Sequence, residues 1–174
     1  TIHHLNQQIA LLEARMETYI NCMKQDADLL KTIPGVSTQI ATGILAEIGN
    51  DMSVFPSKAH LSSWAGVCPG NNESAGKKKT SKLTHGNKYL KTTLIEAAWS
   101  ASHSKTNPEL LIKYRSIAAR RGIKKAAMAL GHKILVAAYY VLRDKTPYLP
   151  SERNKEILQT RKLKKIERLE KELK

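Results

Sequence analysis

The chain has 174 residues, of which 41% are hydrophobic and 25% are charged. This length gives room for one compact domain plus an extension, and the composition is too apolar for a wholly disordered protein. The formal net charge is +14, and so many uncompensated cations repel one another unless a polyanion or an acidic surface accepts them. Nucleic acid is the first candidate partner, and a basic but inert surface is the alternative.

Cysteine and histidine usage excludes several kinds of site. Cys22 and Cys68 are far apart, and none of the six histidines has a zinc-ligand spacing with them. We therefore expect no disulfide framework and no metal site. No segment approaches the roughly 20 apolar residues of a membrane span, and the first residues lack a signal-peptide core, so the sequence predicts a cytoplasmic protein without a membrane partner. A start at Thr1 instead of methionine is what we expect of a fragment or a processed chain.

The first 31 residues are predicted to form one long helix. No Pro or Gly occurs from Ile2 to Lys31, and apolar residues recur in steps of four and three, at Leu5, Ile9, Leu12, Met16, Tyr19 and Met23. Sustained for about three heptads, this stripe favours a coiled coil with another copy or with another segment of the same chain. A single amphipathic helix lying on its own domain is the alternative.

A helix, a tight turn and a second helix come next. A Pro-Gly pair breaks the first helix, and a second one begins at Ser37 and stops at Gly49. This pattern resembles the helix-hairpin-helix motif, in which amide groups at a helix start hold a phosphate without reading bases. A purely structural helical hairpin is the alternative. The residues predicted to contact DNA here are Pro34, Gly35, Val36 and Ser37.

The rest of the chain is predicted to be mainly helical around one irregular or hairpin-like basic loop. Ser57 begins a short helix that stops near Gly66, and the loop runs from Cys68 to Gly86. Helices are then predicted from Asn87 to His103, from Pro108, and from Ile123 to Leu142. The fold class is mainly α, with a coiled-coil helix at residues 1–31, a helix-hairpin-helix-containing domain at 32–150 and a charged C-terminal helix or tail at 151–174.

The lysine-rich segment from Gly70 to Lys79 is the main candidate for chemistry. Its two glycines stand too far apart for a P-loop, and Lys78 occupies the place of a magnesium-binding hydroxyl, so nucleotide hydrolysis is not expected. What remains is Ser74, which is next to two small residues and just before three lysines. A hydroxyl nucleophile needs access, a base or metal for its proton, and cations for the charge on phosphorus. An ordinary loop serine is the alternative, and no general base is evident.

Basic residues continue beyond this segment, with few acidic residues among them. They are Lys82, Lys88, Lys91, Lys113, Arg115, Arg120, Arg121, Lys124 and Lys125. On one face they would neutralise several phosphates, each of which steepens the log–log salt dependence of binding by about 0.9. Solvated helix faces are the alternative. The carboxylates are scattered and form no evident metal set.

Four motifs, taken in order, resemble one protein family. They are Ile33-Pro34-Gly35-Val36 with Ala41 and Ile44 to Gly49, then Ala65-Gly66-Val67-x-Pro69, then Ser74-Ala75-Gly76-Lys77, and then Gly86-Asn87-Lys88-Tyr89-Leu90-Lys91 to Ala97-Ala98. From about Leu30 to Leu149 the chain is similar to the insertion-sequence transposases related to the pilin-gene invertase, which are bridge-RNA-guided recombinases.

This resemblance implies a set of site residues. In that family an N-terminal RuvC-like domain carries an acidic metal site, a coiled coil follows, and a C-terminal transposase domain provides a serine that joins covalently to DNA. By position, Ser74 corresponds to that nucleophile. The residues implied to contact DNA, besides the turn residues, are Gly76, Lys77, Lys78, Lys79, Gly86, Asn87, Lys88 and Lys91. Lys91 stands where the family more usually has arginine. A lysine cannot give a phosphate the two parallel hydrogen bonds that a guanidinium can.

The resemblance also implies partners and a cofactor. DNA, a guide RNA and a homo-oligomer, either dimer or tetramer, are expected. No cofactor is expected in this chain, since the magnesium site belongs to the acidic domain, and strand cleavage by this chain alone is not expected. The implied activity is DNA strand exchange through a phosphoserine intermediate. A non-catalytic helix-hairpin-helix DNA-binding module and an RNA-binding assembly module are the alternatives.

Overall fold

The structure is a computed structural model that describes residues 2–68, 72–74, 77–80, 85–104 and 107–172, with the backbone alone for the two strands. The fold is mainly α, as predicted. The helices, in chain order, are α1 (Ile2–Cys22), α2 (Lys24–Leu30), α3 (Thr38–Ile48), α4 (Lys58–Trp64), α5 (Lys88–His103), α6 (Pro108–Arg121), α7 (Ile123–Asp144) and α8 (Glu152–Glu172). A 3₁₀ turn spans Met52–Val54, and strands β1 (Asn72–Ser74) and β2 (Lys77–Thr80) pair antiparallel.

Helix α7 is the centre of the fold. It packs against α5 and α6, and also against α2 and α4. The contact with α5 is close because small residues line it: Ala97, Ala98 and Ala138 are fully buried, and a Cβ on Gly131 would lie only 3.1 Å from the carbonyl oxygen of Leu94. These small residues let the two backbones approach, so the core is built around the α5–α7 pair.

Short polar side chains begin several of the helices. Ser37 and Ser57 accept hydrogen bonds from backbone amides three residues later, as the sequence predicted, and Asn87 and Asn107 do the same for α5 and α6. Each such cap contributes about 1 kcal/mol to helix stability. Gly49 ends α3 with a φ of 70°, in the left-handed region that favours glycine. The capping residues therefore fix where these elements start and stop.

The prediction of one helix from Ile2 to Lys31 was wrong in one respect. The helix is interrupted at Met23, where φ is −105° and ψ is 9°. Beyond this break α2 turns toward the core and buries Asp26, Ala27 and Leu30. Along α1, by contrast, the predicted apolar stripe is 52% to 70% exposed at Leu5, Ile9, Leu12, Met16 and Tyr19. The break thus separates a core helix from one whose apolar face has no cover within the described residues.

A polar cluster ties α2 to the end of α7. The buried Asp26 carboxylate accepts a hydrogen bond of 2.9 Å from the Asn50 side-chain amide, and the Lys145 ammonium lies 2.6 Å from its other oxygen. Lys145 has a left-handed φ of 51°, which ends α7. Just beyond it, the Tyr148 amide donates to the Thr32 hydroxyl over 2.8 Å. Two parts of the chain that are remote in sequence are therefore joined at one point.

The charged C-terminal segment is a helix, α8, which packs on α6. Ser151, just before it, donates a hydrogen bond to Glu109 on α6, and Lys133 on α7 pairs with the same carboxylate over 2.7 Å. Burial opposes ionisation of Glu109, but these hydrogen bonds outweigh it and lower the pKa of that carboxyl. The carboxylate therefore joins α6, α7 and the start of α8. The domain boundaries at residues 31/32 and 150/151 stay predictions.

Candidate functional site

The segment that carries Ser74 leaves the core and returns to it at the same place. A Cβ added to Gly86 would lie 2.4 Å from the amide nitrogen of Gly66 and 2.5 Å from the carbonyl oxygen of Ala65. Such distances do not occur between real Cβ atoms and backbone, so only glycine allows this approach. Cys68, at the outgoing end, is half-buried, with its sulfur 4.0 Å from Nε2 of His132 on α7. The ends of the segment are thus held together.

Between these ends, the two strands form the hairpin-like element that the sequence predicted. In their antiparallel register Ser74 pairs with Lys77, Glu73 with Lys78, and Asn72 with Thr80, with a bulge between Asn72 and Glu73. The backbone of Ser74 therefore lies opposite the first lysine of the cluster. We call residues 72–80 the serine hairpin. Gly76 and the side chains of Ser74, Lys77, Lys78 and Lys79 lie outside the described residues, so their predicted roles stay predictions.

The start of α5 follows the segment that carries the serine hairpin. The Asn87 side chain is fully engaged: its oxygen accepts from the Leu90 amide over 3.0 Å, and its amide donates to the Glu47 carboxylate at the end of α3. Lys88 is exposed and Lys91 is half-buried. The first amides of a 16-residue helix and an exposed lysine give this end a positive character, which Glu47 partly offsets. Glu47 did not stand out in the sequence.

The Pro-Gly turn between α2 and α3 is used for packing. Gly35 has a φ of 88°, and a Cβ there would lie 2.5 Å from the carbonyl oxygen of Ala97 and 2.6 Å from Ala101 on α5. Pro34 is half-buried and Val36 is buried, whereas Ser37 is exposed. Of the four turn residues predicted to contact DNA, Ser37 alone offers an exposed side chain, already engaged as the α3 cap over 3.3 Å.

The Pro-Gly turn and the start of α5 are far apart. The turn packs against Ala97 and Ala101, whereas α5 begins just after its cap, Asn87. The 14 residues of helix from Asn87 to Ala101 rise by about 21 Å. Any DNA that contacts both would have to span this distance along α5, which is about two-thirds of a helical turn of duplex. The predicted DNA-contacting residues therefore fall into two groups.

His132, which contacts Cys68, has a shifted pKa. Burial lowers the pKa of this histidine below its ordinary 6.5, and the positive charges of Lys113 and Lys58 lower it further. Sequence reasoning missed His132, because nothing in its neighbourhood on α7 marks it. The other predicted basic residues of α6 and α7, namely Lys113, Arg115, Arg120, Arg121, Lys124 and Lys125, are exposed. Arg120, Arg121, Lys124 and Lys125 flank the α6–α7 junction at Gly122.

Among the described residues, no three His, Cys, Asp or Glu side chains lie close enough together to hold a metal ion. Within the same part of the chain, every helix is too short or too polar to cross a membrane.

Comparison with known proteins gives consistent matches. Residues 27–115 match the model described as the Transposase IS116/IS110/IS902 family. The chain is also 30% identical over 152 residues to the pilin gene-inverting proteins of Moraxella bovis and Moraxella lacunata, which covers 84% of this chain and 47% of each of theirs. It therefore spans about half the length of the curated relatives that it matches.

Proposed function

Because this chain belongs to the IS116/IS110/IS902 transposase family, we propose that it is the DNA-engaging part of a recombinase in which Ser74 forms a covalent bond to DNA. The observation that carries the proposal is the close approach of Gly86 to Ala65 and Gly66, which brings together the two flanks of the segment that carries Ser74. A nucleophile must be held within a fraction of an ångström of its productive position. A contact that brings the two flanks of this segment together limits the positions that Ser74 can take, which supports such a role.

In the proposed reaction the Ser74 oxygen attacks a backbone phosphorus. A serine–phosphorus ester forms, the bond from phosphorus to one deoxyribose oxygen breaks, and that oxygen leaves with a proton. Lys77, opposite Ser74 in the register, stabilises the charge that develops on phosphorus. The ester conserves the energy of the broken bond, so rejoining needs no nucleoside triphosphate. Magnesium, supplied by an acidic domain of the longer protein, would assist removal of the serine proton.

Two regions are proposed to hold the DNA backbone. One is the start of α5, where Lys88 is exposed beside the positive end of the helix. The other is the start of α3 at Ser37, about 21 Å away along α5. Both contacts are to phosphate, so neither selects a sequence. Target choice would then come from a guide RNA, which is the partner implied for this family.

A covalent-trapping experiment tests the nucleophile. The longer parent protein is combined with guide RNA, magnesium and a target DNA nicked beside the cleavage position, and protein–DNA adducts are resolved on a denaturing gel. We expect Ser74→Ala to abolish both the adduct and recombination. Ser81→Ala, which removes a hydroxyl from the same stretch of sequence, is the matched control and should retain both. An adduct or wild-type recombination with Ser74→Ala would show that another group is the nucleophile.

An assembly role for α1 is the second candidate function, since its apolar stripe is exposed from Leu5 to Tyr19. A helix with such a stripe is stabilised when a second helix covers it. We propose that α1 pairs with its counterpart in another copy and so brings two serine hairpins to one DNA. If DNA binding and assembly persist while no adduct forms, the chain acts as a binding module.

A further inference from the structure

An aromatic cluster lies on the surface where α5 meets α6. Trp99 on α5 is 42% exposed, and the ring of His103, one turn later, lies nearly parallel to the indole, with centroids 6.2 Å apart and 17° between the planes. The Tyr114 ring on α6 is tilted by 56° against the same indole, at 6.1 Å. His103 is exposed as well, whereas Tyr114 is half-buried. The cluster therefore joins two helices and also presents aromatic surface to solvent.

Contacts at the end of α5 restrict how these rings can move. The Trp99 carbonyl oxygen accepts a hydrogen bond of 2.8 Å from the Ser102 hydroxyl and lies 2.9 Å from Nδ1 of His103. Because a carbonyl cannot donate, Nδ1 carries the hydrogen in this contact. The imidazole is thus tied to the Trp99 backbone, and Tyr114 packs against the indole. A ligand that binds here meets rings already in place, which lowers the entropy cost of binding.

The exposed side of α5 connects Trp99 to the start of that helix. At about 100° per residue, Lys88 and Trp99 lie within about 20° of each other around the helix axis and about 16 Å apart along it. Lys88 is exposed, as Trp99 is. Ala97 and Ala101, which pack against the Pro-Gly turn, lie on the opposite side of α5. A strand whose phosphate contacts the start of α5 can therefore run along the exposed side to the indole.

The charges around the cluster favour a neutral base that belongs to a polyanion. Glu96 is exposed one turn before Trp99, so the indole itself is a poor place for a phosphate. Aromatic rings also bind cations, but the net charge of +14 opposes a cationic ligand. Arg115, directly after Tyr114 on α6, is exposed, as is Lys88. Proteins that bind single strands combine such cations, which hold phosphates, with rings on which bases stack.

We propose that Trp99, together with His103 and Tyr114, forms a stacking platform for an unpaired base of single-stranded DNA. That the strand is DNA rests on the proposed function, because strand exchange separates paired strands and so exposes their bases. The platform would not read sequence, since every base has an aromatic face. It differs from the two proposed contact regions at α3 and α5, which bind phosphate. It would hold a separated strand by its bases.

Tryptophan fluorescence tests the platform directly. The chain has two tryptophans, so Trp64→Phe leaves Trp99 as the reporter. This variant is titrated with oligodeoxyuridylate about ten nucleotides long and with an abasic oligonucleotide of the same length, which carries the same phosphates without bases. We expect the oligonucleotide with bases to quench Trp99 and the abasic one to leave its emission nearly unchanged. Equal quenching by both would overturn the proposal.

Trp64 provides the matched control. It is 44% exposed, close to the value for Trp99, and packs against Phe55 with ring centroids 5.6 Å apart. In Trp99→Phe it becomes the reporter, and oligodeoxyuridylate should leave its emission nearly unchanged. Quenching of Trp64 to the same extent as Trp99 would show that bases stack on any exposed indole, which would also overturn the proposal.

Equilibrium binding, measured by fluorescence anisotropy of labelled nucleic acid, tests the contribution of the ring to affinity. Trp99→Ala should weaken binding of oligodeoxyuridylate about tenfold, whereas Trp64→Ala should not. Neither change should affect a DNA duplex, whose bases stack on one another. Circular dichroism checks that both variants keep the wild-type helix content. Wild-type affinity of Trp99→Ala for oligodeoxyuridylate would overturn the proposal, and tighter binding of oligouridylate by the unaltered chain would overturn its assignment to DNA.

These measurements separate the platform from the proposed nucleophile. Ser74→Ala leaves the three rings in place, so it should bind oligodeoxyuridylate with wild-type affinity even though it forms no adduct. If Ser74→Ala forms adducts while Trp99→Ala loses single-strand affinity, the proposed nucleophile is wrong and the platform stands. If Trp99→Ala keeps that affinity while Ser74→Ala forms no adduct, the platform is wrong and the nucleophile stands.

Discussion

Replacing Gly86 by alanine tests whether the base of the serine hairpin is held by backbone contact. The added Cβ would lie 2.4 Å from the Gly66 nitrogen and 2.5 Å from the Ala65 carbonyl oxygen. Ordinary contacts between such atoms are about 3.5 Å or longer, so the two backbones must separate by about 1 Å. Overpacking of this kind costs about 1–3 kcal/mol. For a chain of this length, each kcal/mol lowers the melting temperature by about 2–4 °C.

The assay is thermal unfolding of Gly86→Ala and of a matched control, Gly43→Ala, monitored by circular dichroism. Gly43 lies inside α3, and the atoms nearest to a Cβ there belong to the flexible end of the Thr93 side chain, the nearest at 3.3 Å. Alanine in a helix interior is favoured over glycine by up to about 1 kcal/mol, so the control should be neutral or slightly stabilised. If Gly86→Ala melts at the same temperature as Gly43→Ala, the contact does not hold the hairpin base.

Three further predictions concern the core, the titration of His132 and α1. Asp26→Ala should lower the free energy of unfolding, measured with urea, by about 2–3 kcal/mol, because it removes two charge-assisted hydrogen bonds. Asp28 forms an exposed ion pair, so the control Asp28→Ala should leave this free energy nearly unchanged. Because burial and then two lysines depress the pKa of His132 below 6.5, the unfolded chain binds more protons just below pH 6.5. The stability that the neutral histidine contributes is therefore fully present above pH 6.5 and is lost as the pH falls. His132→Gln should reduce the difference between the free energies of unfolding measured at pH 5.5 and at pH 7.5. Leu12→Glu places a charge in the apolar stripe and should dissociate an oligomer paired through α1, as measured by sedimentation velocity. The control Gln7→Glu, on the polar side of α1, should leave the oligomer intact. An oligomer that persists with Leu12→Glu would exclude pairing through this stripe.

Element boundaries were largely predictable from local chemistry. Ser37 and Ser57 start helices, and Gly49 stops one. These effects depend only on residues within one turn of the chain, because a capping side chain bonds an amide three residues later and a positive φ favours glycine at that position itself. The break at Met23 was not predictable in this way. No Pro or Gly marks it, and the turn of α2 toward the core accompanies the pairing of Asp26 with Lys145, which is 119 residues away in sequence.

For the candidate site, the sequence indicated that certain glycines matter, but not what approaches them. Gly35 and Gly86 were predicted to contact DNA, and the structure shows other parts of the chain packed against both, namely α5 and the turn at Ala65 and Gly66. The cluster around His132 also escaped sequence reasoning. It depends on a contact with Cys68 across 64 residues and on lysines from two other helices.

The junction of Asp26 with Lys145 has a mechanical consequence. It clamps the chain just after α1 to the last turn of α7, a rod of 22 residues that is about 33 Å long. If α1 pairs with another copy, as proposed above, a torque applied through α1 is delivered at one end of this rod. The other end carries Lys124 and Lys125, and His132 lies partway along it. Movement of α1 and movement of these basic residues would then be coupled through α7.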